Sequence, residues 1–290
     1  SVNQANINAE ELKQIKIAIL PITGQEKIRD LSNQSWHELE NSKSLYSQAK
    51  SLLLNELELN NFQSENELWS VVNLSETKKV NRIDAEYFQP KYKIIEDKLI
   101  KNFNAKKIKD LEFIKIITGQ YSEEYIAQEN GGPYIRGTDL IVGTINTENL
   151  FYIDPQKQVS SKKAKEGDVV VTRVGTIGIA ARLPKEVEGG TISDNLIRMR
   201  FSENILNSYY VALFFNTVGS QLMIRESRGS VQARLNQETL KEIVLPILPK
   251  PTQQKIADLV QKSHEARKKA KELFEEAKQK VEEMIEKQSR

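Results

Sequence analysis

The sequence predicts an α+β protein, with one mixed α/β domain and two long helices packed on each other as a coiled coil. Three observations support this prediction. A stretch near the start of the chain is repeated near its end, and each copy continues into a long amphipathic helical pattern. The stretch between the copies alternates short strand patterns with glycine turns.

The repeat pairs residues 12–31, LKQIKIAILPITGQEKIRDL, with residues 240–259, LKEIVLPILPKPTQQKIADL. An offset of 228 positions aligns the copies without a gap, and 11 of the 20 aligned positions are identical. The period is far longer than that of a solenoid. One period therefore corresponds to a whole domain with its connector.

Each copy is predicted to contain an extended segment, a proline and then a helix. In the first copy we expect an extended piece from Asn8 to Leu20, ending at Pro21, and a helix of about 35 residues, or about 50 Å at 1.5 Å per residue. The stretch TGQE places Thr23 as the N-cap of a capping box. In the second copy we expect Thr252 to cap the helix.

Apolar and small residues recur at three- and four-residue spacing along both helices, and Trp36 is expected to belong to this stripe. The spacing is that of a coiled-coil seam, in which small side chains allow close approach. Neither helix has a core of its own, so the two are expected to bury their stripes on each other. The residues predicted to pair the helices are Ile28, Leu31, Ala49, Leu53, Ile256, Leu259, Ala266, Ala270, Leu273 and Ala277.

The stretch between the copies carries short strand patterns punctuated by glycines, as in EGDVVVTRVGTIGIAARLP and GGTISDNLIRMRF. The run NSYYVALFFNTVGSQLMIRES then indicates a helix. This combination predicts a mixed α/β domain.

Bulk composition excludes several classes of protein. The absence of cysteine excludes a disulfide framework and a thiolate metal site, and it fits a reducing cytosol. No apolar run reaches the roughly 20 residues of a membrane helix, so no membrane partner is expected. The net charge is only +2, so any contact with nucleic acid must come from a local patch.

Catalytic motifs are absent from the sequence. There is no P-loop and no NPPY-like tetrapeptide of amino-methyltransferases. His37 and His264 lie in the predicted helices, and two histidines without cysteine argue against a zinc site. Asp139, Asp168 and Asp194 fit turn chemistry better than metal-dependent cleavage. We therefore predict no catalytic residue and no metal site.

Four stretches resemble the specificity subunits of Type I restriction–modification enzymes. They are RIDAEYFQPKY (82–92), PYIRGTDL (133–140), EGDVVVTRVGTIGIA (166–180) and GSVQARLNQETLKEIVLPILPKPTQQKIADL (229–259). The resemblance covers essentially the whole chain. It implies a non-catalytic subunit with two target-recognition domains, each reading half of a split DNA site and each followed by a long helix. The resemblance also implies that the two long helices pack as an antiparallel coiled coil.

The resemblance also implies a domain organisation. Residues 1–20 correspond to the tail of a preceding recognition domain, 21–63 to the central conserved helix, 64–248 to a recognition domain and 249–290 to the distal conserved helix. A first recognition domain is missing, which departs from the family pattern. The chain is either part of a longer subunit or a natural half-length subunit, which could restore two domains as a homodimer.

Partners and cofactors follow from the same resemblance. The implied partners are double-stranded DNA, modification subunits that methylate adenine with S-adenosylmethionine, and restriction subunits that use ATP and Mg, all in the cytoplasm. No cofactor is expected on this chain. Two alternatives stay open: the recognition portion of a fused methyltransferase–nuclease, and a coiled-coil scaffold protein without DNA function.

Residues that read DNA must carry hydrogen-bonding groups on loops that reach a groove. Arginine suits guanine and glutamine suits adenine, whereas serine and backbone amides suit phosphate. We expect Arg136 and Arg173 to help read the DNA, because both lie beside predicted turns. The full set of candidates is Gln120, Tyr121, Arg136, Thr138, Arg173, Thr176, Arg228, Ser230, Gln232 and Arg234.

Overall fold

The computed structural model describes residues 8–60, 69–228 and 233–288. The helices are α1 Ala9–Lys13, α2 Ile22–Glu56, α3 Leu74–Val80, α4 Pro90–Asn102, α5 Ser208–Phe215, α6 Val218–Glu226, α7 Gln237–Lys241 and α8 Lys250–Gln288. The strands are β1 Lys106–Lys107, β2 Lys115–Thr118, β3 Gly132–Ile135, β4 Leu140–Ile141, β5 Thr144–Ile145, β6 Phe151–Ile153, β7 Val169–Thr172, β8 Ala180–Arg182, β9 Thr191–Ile192, β10 Leu196–Arg200 and β11 Val244–Leu245. Short strands between two long helices confirm the predicted α+β class.

Residues 8–43 and 263–288 form one compact unit, in which the α2 and α8 segments run antiparallel. The hydroxyl of Ser35 donates to the carbonyl of Ala270 at 2.7 Å, and the hydroxyls of Ser42 and Ser263 lie 3.2 Å apart. From the first contact to the second, the position moves seven residues forward along α2, from Ser35 to Ser42, and seven residues backward along α8, from Ala270 to Ser263. Seven residues are one heptad on each helix. The predicted antiparallel helix pair is confirmed.

The residues predicted to pair the helices differ in burial. Ala49, Leu53, Ile256, Ala266, Ala270 and Ala277 are buried, whereas Ile28, Leu31, Leu259 and Leu273 are partly buried. The placement of Trp36 in the same stripe is wrong, because its side chain is 61% exposed. It lies five residues after Leu31. A spacing of three or four residues keeps two side chains on one face of a helix, whereas a spacing of five residues places the second side chain well away from that face.

The described residues between 44 and 262 form the other compact unit, around a large hydrophobic core. Leu53 from α2, Leu57 directly after that helix, and Ile256 and Val260 from α8 belong to this core, together with most of α5. The C-terminal end of α2 and the N-terminal end of α8 therefore also contribute residues to the core of the mixed domain.

The described part of the mixed domain contains two larger sheets and the two-stranded sheets β1-β11 and β4-β5. One larger sheet has the antiparallel order β2-β10-β7-β8, and the other has the order β6-β3-β9 with β3 and β9 parallel. In β7, Val169 and Val171 enter the large core while Val170 enters a second apolar cluster. Alternate residues of a strand face opposite sides, so β7 separates the two cores.

The segment before α2 differs from the extended piece expected from Asn8 to Leu20. Residues Ala9–Lys13 form α1, and Asn8 makes a capping box with Glu11. Asn236 makes the equivalent capping box at the start of α7. The expectation was wrong at this point because the reciprocal capping bonds satisfy backbone donors and favour a helical turn.

The predicted N-caps Thr23 and Thr252 are also wrong, because both lie inside helices that begin directly after a proline. The carbonyl of Pro21 accepts from the amide of Gly24 at 2.8 Å, and that of Pro249 accepts from Thr252 at 3.0 Å. These carbonyls already make the first helical hydrogen bonds, so each helix starts before its threonine.

The two copies of the repeat have different surroundings. Leu240 and Leu245 are fully buried, and Leu245 pairs with Lys106 of β1. Their counterparts Leu12 and Ile17 are 59% and 84% exposed. Among the described residues, the first copy thus lacks the packing partner that β1 supplies to the second.

Candidate nucleic-acid interface

Arg228 and Arg234 lie side by side because their backbones bond to each other. The amide of Arg228 donates to the carbonyl of Arg234 at 2.9 Å, and the reverse bond measures 2.7 Å. Arg234 also pairs with Val174 in an isolated bridge, and the amide of Leu235 donates to the carbonyl of Arg173 at 2.8 Å. Residues 228 and 234–235 therefore meet residues 173–174, which lie more than 50 positions earlier in the chain.

The side chains on the surface of this junction are exposed. Arg228, Arg234 and Thr176 are all exposed, and within the described parts of the chain neither arginine lies within 4.0 Å of a carboxylate. Gly175, next to Thr176, has a φ of +76°, and a side chain there would meet no atom within 4 Å. An open surface with two unpaired guanidinium groups suits a phosphate backbone.

Arg173 occupies a different place from the two exposed arginines. Its guanidinium donates to the carbonyl of Leu235 at 3.2 Å and to the carbonyl of Asp194 at 2.9 Å. Both bonds tie β7 to neighbouring loops, so the donors that they use are occupied within the fold.

Gln120 is also bonded within the fold. Its side-chain nitrogen donates to the carbonyl of Lys157 at 2.8 Å, and its side-chain oxygen accepts from the amide of Val159 at 3.0 Å. Tyr121, the next residue, is 63% exposed and donates its hydroxyl to Glu123. This hydrogen bond raises the pKa of the Tyr121 hydroxyl.

Arg136 forms a two-pronged ion pair with Asp139, with N–O distances of 3.2 and 2.8 Å. Its guanidinium also stacks on Phe151, 3.6 Å from the ring centre. Thr138, between the ion-paired residues, is exposed. At this edge Thr138 is therefore more open to a ligand than Arg136.

The turn at residues 192–195 joins the two groups of candidates. The carbonyl of Asp194 accepts from Arg173, while that of Ile192 accepts from the amide of Gln120 at 2.9 Å. Gly119 approaches the same turn so closely that a Cβ would lie 2.1 Å from the carbonyl oxygen of Ser193. The structure thus brings Gln120 and Arg173 to one turn. Ser230 and Gln232 lie outside the described residues.

Two of the three aspartates discussed above make structural ion pairs. Asp168 is 2% exposed and accepts from Arg200 at 2.7 and 2.6 Å. Asp139 pairs with Arg136, as described above. Within residues 8–60, 69–228 and 233–288, no group of three or more metal-ligating side chains comes together, and no helix is long and apolar enough to cross a membrane.

The motif RIDAEYFQPKY contains a cluster to which the sequence analysis assigned no site role. Tyr87 has the guanidinium of Arg82 at 4.4 Å and that of Arg225 at 4.6 Å from its ring centre. Arg225 pairs with Glu96 and donates to the carbonyl of Tyr87 at 3.2 Å. One arginine and three aromatic residues in one short motif were the available signal, but Arg225 is distant in sequence.

A buried carboxyl lies next to this cluster. Glu226, at the end of α6, is 9% exposed, and burial raises its pKa. The positive charges of Arg225 and Arg82 oppose this rise, while Glu96 and Glu242 reinforce it. Burial prevails, so Glu226 holds its proton more tightly than a glutamate in water.

Comparison with known proteins identifies the family. Residues 66–273 match the family model described as the Type I restriction modification DNA specificity domain. No curated protein matches the chain.

Solved structures with a similar fold carry related descriptions. The Type-I restriction-modification system S subunit from M. genitalium is 14% identical with a TM-score of 0.50, over 96% of this chain and 65% of that chain. The HsdS subunit from Thermoanaerobacter tengcongensis is 13% identical with a TM-score of 0.45, over 98% and 63%. A chain from a study of complex assembly and conformational transition of the type I R-M system is 14% identical with a TM-score of 0.45, over 92% and 59%.

This chain thus spans less than two thirds of the length of each of these solved structures. At such identities the likeness concerns the fold alone. The family match has more weight, because it extends over more than half of the residues and includes both the β-rich domain and the first part of α8. The chain therefore belongs to the family of Type I restriction–modification DNA specificity domains.

Proposed function

We propose that this chain is the non-catalytic specificity subunit, or part of one, that reads one half of a bipartite DNA target. The observation that carries the proposal is the exposed pair Arg228 and Arg234, joined by backbone hydrogen bonds. Local positive charge on an open surface is what a protein of low net charge needs in order to bind DNA. The purified chain is expected to have no methyltransferase, nuclease or ATPase activity of its own.

The candidate residues divide into two kinds by their contacts. Arg228 and Arg234 would bind phosphates, which orient a protein on DNA without reading its sequence. The exposed Thr176, Thr138 and Tyr121 are better placed to reach base edges than Gln120, whose side-chain amide bonds within the fold. In this proposal, base reading depends on these exposed side chains rather than on Gln120.

The exposed first copy of the repeat supports reading of the second half-site by another domain. Leu12 and Ile17 are exposed, although their counterparts Leu240 and Leu245 are buried in the second copy. A recognition domain of the same fold would bury residues 8–20 in the same way. That domain would precede this one in a longer chain. In a natural half-length subunit, a second copy would supply the other recognition domain without covering residues 8–20 in this way, because its β1 already pairs with its own β11.

The remaining chemistry belongs to other subunits in this proposal. Modification subunits carrying S-adenosylmethionine would dock on the pair of long helices, whose exposed apolar residues include Trp36 and Phe274. Restriction subunits would supply ATP- and Mg-dependent translocation and cleavage. The assembly would act in the cytoplasm.

A binding measurement tests the proposal. The target would first be identified by mapping methylated adenines in cells with and without the gene. Binding of the chain, reconstituted with its modification subunits, to target duplexes is then measured at several salt concentrations. Replacing Arg228 and Arg234 by alanine should weaken binding and reduce the salt slope by about two.

The matched control replaces Lys101 and Lys185, two exposed lysines outside the junction, by alanine and should leave the salt slope unchanged. Salt-independent or absent binding by the reconstituted assembly would favour the scaffold alternative. A methyltransferase domain encoded in the same gene would favour the fused methyltransferase–nuclease.

A further inference from the structure

We propose that Arg82 is a positioning residue that holds the end of α6 and thereby sets the place of the exposed Arg228 and Arg234. The inference deepens the proposed function and rests on it for the DNA readout. It assigns a role to the RIDAEYFQPKY motif, which contains none of the candidate DNA-binding residues.

The first step is a contact between Arg82 and the end of a helix. The Arg82 guanidinium donates from Nη1 to the carbonyl of Arg225 at 3.1 Å and from Nη2 to the carbonyl of Ser227 at 2.9 Å. The last carbonyls of a helix have no partner within the helix, and a cation there also interacts favourably with the helix dipole. Arg82 therefore caps the C-terminus of α6 from 143 residues away in sequence.

The second step is that Arg82 is itself held in place. Asp84 accepts from its Nε at 2.8 Å and its Nη2 at 2.6 Å, and Tyr87 lies against its guanidinium. The Arg82 side chain is only 9% exposed. These contacts hold the planar guanidinium group in one orientation, because it bonds to a carboxylate and two carbonyls and stacks on a ring. Arg82 can therefore define where the chain leaves α6.

The third step connects this cap to the exposed arginines. Ser227, whose carbonyl Arg82 binds, directly precedes Arg228. Arg228 exchanges both backbone hydrogen bonds with Arg234, which in turn bridges to Val174 after β7. A shift of the Ser227 carbonyl would therefore disturb both arginines without any direct contact between Arg82 and DNA.

The test uses Arg82→Ala and Arg82→Lys in the full chain. The lysine variant keeps the charge but has a single ammonium group in place of the fork, and it is the milder of the two changes. The first readout is hydrogen exchange of the Arg228 and Arg234 amides, which bond to each other. Both variants should accelerate exchange at these amides while the amides of β7 and β10 stay protected.

The second readout is DNA binding by the reconstituted assembly. Arg82→Ala should weaken binding by about tenfold in the wild-type background and have little further effect in the Arg228→Ala/Arg234→Ala background. Such non-additivity is expected of a residue that acts through the two arginines, whereas a residue with an independent DNA contact would give additive losses.

The matched control is Arg182→Ala. Arg182 is another largely buried arginine that stacks on a tyrosine, Tyr209, at 4.5 Å and donates to Ser208 at 2.9 Å. It should affect stability without accelerating exchange at Arg228 and Arg234. Unchanged exchange at these amides in the Arg82 variants would overturn the inference, as would additive losses of DNA binding. If Arg228→Ala/Arg234→Ala leaves DNA binding intact, the proposed DNA site fails, while the exchange readout still decides whether Arg82 positions the two residues.

Discussion

Ser263 donates its hydroxyl to the backbone carbonyl of Ser42 at 2.8 Å, across the two long helices. Both serines are buried, at 3% and 5% exposure. A side-chain bond to the backbone of a facing helix requires the helices to approach closely, which only small residues permit. The stability of the helix pair should therefore depend on the size of the side chains at positions 42 and 263 as well as on their polarity.

Replacing Ser263 by leucine should destabilise the helix pair by about 1–3 kcal/mol, because the larger side chain must push the backbones apart. Ser263→Ala should cost only about 1 kcal/mol, since it removes hydrogen bonds but preserves the close approach. Urea unfolding of both variants measures the difference. A leucine variant as stable as the alanine variant would contradict the close crossing.

Glutamate at both Ala270 and Ala277 should separate the helices in the unit formed by residues 8–43 and 263–288. Both alanines are buried, and an unpaired carboxylate in such a position is costly. The mixed domain should stay folded because its cores lie elsewhere. Assembly with modification subunits should weaken, and size-exclusion chromatography would measure this loss.

The control for this double substitution places glutamate at Gln254 and Gln279, which are exposed on the same helix. It adds the same charge without burial and should preserve assembly. If the alanine-to-glutamate variant also keeps its helix pairing and assembly, the predicted pairing role of these alanines is wrong.

Arg136→Ala should lower the melting temperature, because it leaves the carboxylate of Asp139, 7% exposed, without its ion-pair partner. The cost should be about 1–3 kcal/mol. Arg173→Ala should act similarly through the carbonyls of Leu235 and Asp194. Melting curves of both variants measure this structural role.

It remains a prediction that these two arginines also help to read DNA. Binding to target duplexes with single base changes, at a temperature where both variants are folded, decides it. A reading arginine would relax discrimination at one position by about 1–3 kcal/mol. Unchanged affinity, discrimination and salt slope in both variants would remove the two residues from the DNA surface.

Glu226→Gln should stabilise the chain, and the gain should grow with pH. Burial raises the folded-state pKa of Glu226 above its ordinary value near 4.5, so the folded chain binds the proton more tightly than the unfolded chain. The stability contributed by the protonated carboxyl is present below that ordinary value and is lost as pH rises through the folded-state pKa. Glutamine remains neutral and avoids this loss.

Urea unfolding of Glu226→Gln and wild type at pH 5 and pH 8 provides the measurement. Glu238→Gln is the control, because the Glu238 side chain is 80% exposed. A stability difference for Glu226→Gln that is equal at both pH values, or larger at pH 5, would contradict the prediction.

The α+β class and the two long helices could be predicted from the sequence, because strand and helix periodicity are local patterns, whereas the antiparallel direction of the helix pair was implied only by the family resemblance. The candidate DNA residues could be predicted only by type and loop position. Whether an arginine such as Arg136 points into the fold or into solvent depends on Asp139 and Phe151, which fold against it. The role of Arg82 was equally hidden, since the carbonyls that it caps lie more than 140 residues away.

The two copies of the repeat show most directly which features the sequence determined and which features the tertiary structure decided. The sequence by itself determined that each copy of the repeat leads through a proline into a long helix, because the position of a proline and a helical periodicity are patterns within one segment. Only the tertiary structure decided that Leu245 is buried while its counterpart Ile17 is 84% exposed. The difference arises because β11 pairs with β1, and a contact between segments distant in the chain leaves no trace in the local pattern of either one.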